Sequence, residues 1–206
     1  MPRCIHNFRL LICTTLFAVL CISSCKSSGR SADSFEILGP ADETAEAAQL
    51  IVQANDDLKK IKVLYEKNEG KRGDIKKALE TNNAEDVRKI SDDVVYIIND
   101  GFDFGKSAVE KIAQAQEMEI NDDYREYLRL KEEALKKQME AFENYRQAAR
   151  LLRDNYDPKN AQQRDMVKAE FTQRSENYAK IMEKARDFSN QANELAKDAM
   201  RKQQQN

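Results

Sequence analysis

A 4-3-4-3 rhythm of seam residues runs through the C-terminal part of this chain: Val167, Phe171, Arg174, Tyr178, Ile181, Ala185, Phe188, Ala192, Leu195 and Ala199. On an α-helix, positions three and four apart share a face, so this spacing makes one unbroken seam. A helix with such a seam must bury it against other helices. Late in the seam, large residues alternate with alanines at heptad spacing, which predicts a close antiparallel neighbour. Arg174 is the one polar intruder. It reads as a register-setting position with a carboxylate partner on a facing helix, in preference to an anionic-ligand contact inside the bundle.

Three further helices are expected upstream. The first runs from about Ala41 to Glu69, with Ala47, Ile51, Ala54, Leu58, Ile61 and Tyr65 on one stripe and Gly70 as its stop. Lys71-Arg72-Gly73 then leads to a two-turn helix, Asp74 to Glu80, capped by Asp74 and ended by Thr81-Asn82-Asn83. The next begins near Asn83 or Ala84 and reaches about Glu119. Val87, Ile90, Val94, Ile97, Gly101, Phe104, Ala108, Ile112 and Ala115 form its inner face. Another spans Asp122 to Asp154 and buries Tyr124, Leu128, Leu135, Phe142, Tyr145, Ala149 and Leu152, with Ala134, Ala141 and Ala148 widening that face. Asp157-Pro158 turns the chain into the last helix, which extends to about Lys202.

Glycine and proline are scarce (6 and 3 residues), as long helices require. Pairs such as Glu132/Lys136, Glu133/Lys137 and Glu176/Lys180 read as solvated outer faces. The predicted fold is therefore all-α: an elongated up-down-up-down bundle of about four long amphipathic helices with coiled-coil-like packing. The alternative is a helical hairpin that completes its core by forming a homodimer.

Chemistry is thinly represented. The only histidine is His6, and Cys4, Cys13, Cys21 and Cys25 all lie near the N-terminus. Gly101 to Ser107 faintly resembles a phosphate-binding loop. It has three residues between its glycines where that motif needs four, and a helix precedes it instead of a strand. Gly101 and Gly105 read better as small residues on a packed helix face. The acidic pairs Asp92/Asp93, Asp122/Asp123 and Glu132/Glu133 have neither histidines for a di-iron site nor the loop spacing for calcium. No catalytic residue, metal or other cofactor is expected. The formal charge of −2 is spread in mixed sign, so no nucleic-acid partner is expected either.

Residues 1–24 carry Arg3 and Arg9, no acid, and a largely apolar run from Leu10 to Ile22. That run is too short to cross a membrane as a stable helix, and it has the plan of a secretory signal. Ile22-Ser23-Ser24-Cys25 resembles the lipobox of bacterial lipoproteins, with Ser24 standing where Ala or Gly is commoner. The resemblance implies cleavage before Cys25, a thioether-linked diacylglycerol on its sulfur, and an acylated amino terminus such as palmitate provides. Two or more buried chains make such an anchor stable. Lys26 follows the cysteine where Asp would signal inner-membrane retention in enterobacteria, so the resemblance favours the outer membrane.

The domain reading is then 1–24 signal peptide, 25–40 lipidated cysteine and Ser-rich tether, and 41–206 helical bundle. Removing the signal takes two arginines from the formal charge of −2, leaving about −4. The expected function is a non-catalytic, membrane-anchored interaction or scaffold module of the bacterial cell envelope with a protein partner there. The alternative is a periplasmic, sensor-like bundle that binds a small molecule or peptide and works through a separate membrane partner.

Overall fold

The structure, a computed structural model, describes residues 43–205. The expected lipidation site Cys25, the signal and the tether lie outside the described residues. Four helices follow in order: α1 (Thr44–Glu80), α2 (Ala84–Gln116), α3 (Asp122–Asn155) and α4 (Ala161–Gln205). Polar pairs fix their directions. Lys71 meets Asp93 and Lys111 meets Asp57, each at 2.6 Å, so α1 and α2 run antiparallel. Arg146 with Asn99 (2.8 Å) and Arg153 with Asp92 (3.1 Å) invert α3 against α2. Arg174 with Gln147 (2.8 Å) and Lys202 with Asp123 (3.5 Å) do the same for α4 against α3. The fold is an all-α, up-down-up-down bundle.

The expected break at Gly70 does not occur. α1 is one helix of 37 residues that runs through Gly70 and Gly73, and Asp74 lies inside it, exposed, capping nothing. The reason is a heptad series that spans the glycines: Ala47, Ala54, Ile61, Asn68 and Ile75 are all buried. Two exposed glycines cost about 1 kcal/mol each against alanine. Swinging Ile75, Ala78 and Leu79 off the core would forfeit more, since one large aliphatic residue is worth roughly 1.5–3 kcal/mol. The stop comes at Thr81-Asn82-Asn83. Asn82 takes a left-handed φ of 54°. The Asn83 and Asn82 amides donate to the carbonyls of Ala78 (3.0 Å) and Leu79 (3.4 Å), a Schellman closure with asparagine in the glycine position.

Asparagine also starts the other three helices. The side chains of Asn83, Asn121 and Asn160 accept from the amides of Asp86 (3.2 Å), Tyr124 (2.8 Å) and Gln163 (3.1 Å), each satisfying an orphan first-turn donor. At one end of the bundle the Tyr156 hydroxyl donates to Asn82 Oδ1 at 3.0 Å, tying the α3–α4 connection to the α1–α2 turn.

The expected α2 face holds at Val87, Val94, Ala108, Ile112 and Ala115, all buried, but shifts by one residue along the middle of the helix. Ser91, Ile98 and Gly105 are fully buried, whereas Ile90, Ile97 and Phe104 are half-buried. α2 packs against both α1 and α3, so its narrowest side points inward, and a Cβ on Gly105 would lie 2.8 Å from Met139 Sδ. Small residues let α3 approach there. On α4 the expected seam faces inward: Val167, Tyr178, Ala185 and Ala192 are buried, and Phe171, Arg174, Ile181, Phe188, Leu195 and Ala199 are half-buried.

Candidate functional site

Three helix pairs pack closely, α1 with α2, α2 with α3 and α3 with α4. α1 and α4 instead face each other across an open groove floored by α3. Long side chains cross it at two points. Lys168 Nζ donates to the Leu79 carbonyl (2.7 Å) and to Asn82 Oδ1 (3.0 Å). Further along, the Tyr178 hydroxyl donates to Glu69 Oε1 at 3.2 Å. Arg72 bonds Glu69 at 2.8 and 3.0 Å, and its guanidinium lies 4.7 Å from the Tyr178 ring and 5.3 Å from the Tyr145 ring. Burial pushes both tyrosine hydroxyls well above their usual range, so they remain neutral.

This bridge divides the groove. On one side is a recess of about 720 Å³ whose rim mixes Glu69, Glu80 and Glu176 with Arg72, Lys76 and Lys168. On the other is a recess of about 420 Å³ with a floor of Leu58, Ile61, Tyr65, Leu135, Phe142 and Met182. Its charged lining is Lys62, Lys131 and Arg186, with no carboxylate. Both volumes lie in the usual range of ligand sites.

Two other polar clusters are internal. Asp57 on α1 is 6% exposed and accepts from Lys111 Nζ (2.6 Å), Ser107 Oγ (2.8 Å) and Lys60 Nζ (3.3 Å). The Lys111 hydrogen bond, aided by Ser107 and Lys60, holds its carboxyl below the usual range against the opposing effect of burial. Lys111 also donates to Ser107 at 2.8 Å. The cluster ties α1 to α2 through the Lys111 and Ser107 contacts with Asp57. The second is Asn68, fully buried with neither amide atom partnered, beside a recess of about 20 Å³ between α1, α2 and α3. That is room for about one water.

Arg174 does not meet a carboxylate on a facing helix. It bonds Glu170 of its own helix (2.8 and 3.0 Å), and α3 supplies the Gln147 amide oxygen at 2.8 Å. It is part-exposed on the seam's edge, where water lowers the cost of its charge. Gly101 lies 3.7 Å from Leu64 in ordinary contact, and Phe102 lines the small recess beside Asn68. Phe104 sits under the Lys60 ammonium at 4.6 Å. Glu132 pairs with Lys136 at 2.7 Å as expected, whereas Lys137 pairs with Glu140 at 2.6 Å. Asp57 and the α1–α4 groove had no visible motif. The available signal was the heptad series through Asn68 and Ile75, which carries α1 past Gly73 and so lengthens the groove.

Among the described residues no helix is long and apolar enough to cross a membrane. No protein-family model, curated protein or solved structure matches the chain.

Proposed function

We propose that this protein is a lipid-anchored bacterial envelope lipoprotein whose helical bundle is a non-catalytic interaction or scaffold module. The lipobox-like Ile22-Ser23-Ser24-Cys25 supports the anchor, and Lys26 favours the outer membrane. The observation that carries the interaction reading is the open α1–α4 groove. Three of the four neighbouring helix pairs bury their contact, and the fourth leaves apolar side chains and recesses within reach of another molecule. The polar clusters support the non-catalytic part, because Asp57, Ser107 and Lys111 hold one another between α1 and α2, and Glu69 is held by Arg72 and Tyr178.

Two measurements test the parts separately. Metabolic labelling with a fatty-acid analogue is expected to mark the native chain and leave a Cys25→Ser variant unmarked; label persisting in the variant would rule out this anchor. In-cell crosslinking from positions on the groove rim is expected to trap a discrete envelope protein when the chain is anchored. Trapping nothing from the groove, with the anchor confirmed, would remove the scaffold role.

A further inference from the structure

We infer that the recess between Leu58–Tyr65 of α1 and Met182–Ser189 of α4 binds the carboxylate head and alkyl tail of a single-chain fatty acid. The inference stands on the bundle alone and holds whether or not Cys25 is lipidated.

Charge is the first support. Lys62, Lys131 and Arg186 come from three different helices and line one recess without a single acidic residue. None of them has an ion-pair partner among the described residues, and Lys131 merely rests 5.6 Å from the Tyr127 ring. Three like charges around one opening repel one another and concentrate an anion.

Register is the second. Ten residues back along α1, from Leu79 to Glu69, match ten forward along α4, from Lys168 to Tyr178. Continuing in step for seven more puts Lys62 opposite Ala185, beside Arg186. The cations from α1 and α4 therefore stand at one height. Tyr65, Phe142 and Met182 line the recess on the side toward the Glu69–Tyr178 bridge. A cationic height followed by an apolar stretch suits a ligand with one anionic head and one tail. A helix docking in the groove would meet the mixed charges beyond the bridge instead. Met182 is flexible enough to conform to an alkyl chain.

The test uses the purified full chain carrying Cys25→Ser, so that no covalent acyl group competes. A photoactivatable palmitate analogue is expected to crosslink within residues 58–65, 131–142 and 182–189, and palmitate is expected to compete about tenfold better than its uncharged methyl ester. Lys62→Glu, Lys131→Glu and Arg186→Glu together are expected to weaken binding by about tenfold or more while circular dichroism stays helical. If that triple variant does not fold, the Gln versions and a Met182→Trp reporter replace it. The chain has no tryptophan of its own, so palmitate should shift that single fluorescence signal. Label scattered over the surface, equal competition by the ester, or binding unchanged by charge removal would overturn the proposal. So would a Met182→Trp signal that changes with protein concentration and not with palmitate, which would make a second copy the occupant.

Discussion

Tyr178 of α4 and Glu69 of α1 are 109 residues apart in sequence, and the tyrosine hydroxyl donates to the carboxylate at 3.2 Å. With Arg72 beneath the ring, this contact and the Lys168 contact hold the two outer helices across a groove that backbone packing leaves open. Tyr178→Phe keeps the ring and removes only the donor. It should lower stability by about 1 kcal/mol, read as a lower urea midpoint at unchanged slope. No change in midpoint would mean that the bridge does not hold α1 to α4 in solution.

Gly70 and Gly73 sit inside α1 with open space where a Cβ would go. Gly70→Ala and Gly73→Ala should each raise stability by roughly 0.5–1 kcal/mol. Thermal unfolding followed by circular dichroism decides it. Destabilisation by either alanine would contradict a continuous helix through this stretch.

Gly105 is the opposite case, because Met139 occupies the space beside it. Gly105→Val should cost about 1–3 kcal/mol through overpacking, whereas Gly101→Ala, with its nearest neighbour at 3.7 Å, should be tolerated. Equal effects in denaturant titrations would show that the α2–α3 contact is looser than described.

The Asp57 carboxyl, held below its usual range mainly by Lys111, makes a pH prediction. In the unfolded chain this group takes up its proton near pH 4, and in the bundle only at lower pH. Its stabilisation is therefore complete above about pH 4 and is lost as pH falls through the folded value. Asp57→Asn should cost roughly 1–3 kcal/mol at pH 7, and the gap to the native chain should shrink on acidification below about pH 4. A gap that stays constant with pH would dismiss the ion pair as its source.

Asn68 is buried with both amide atoms unpartnered. Asn68→Leu, which keeps the branched shape and the number of heavy atoms, should raise stability by about 1–3 kcal/mol. If the asparagine sets register, as single polar seam residues do in coiled coils, sedimentation of the variant should reveal added oligomers. Lower stability in the variant would show that a water in the adjoining 20 Å³ recess satisfies the amide.

What the chain's own residue order determined is the helical class, the number of long amphipathic segments and most of the seam. The heptads of α4 and the asparagines that cap α2, α3 and α4 are local features, set by spacing along one helix and by hydrogen bonds within one turn. Three things were decided only by tertiary structure. α1 continues through Gly70 because burial of Ile75 and Leu79 outweighs a weak local propensity. α2 turns Ser91 and Gly105 inward, ahead of the larger Ile90 and Phe104, because two neighbours crowd the same face. Lys62, Lys131 and Arg186 share one recess only because α1, α3 and α4 come together in this register. Helix periodicity says which residues share a face of one helix, but which faces meet, and which interface stays open, depends on packing all four helices at once.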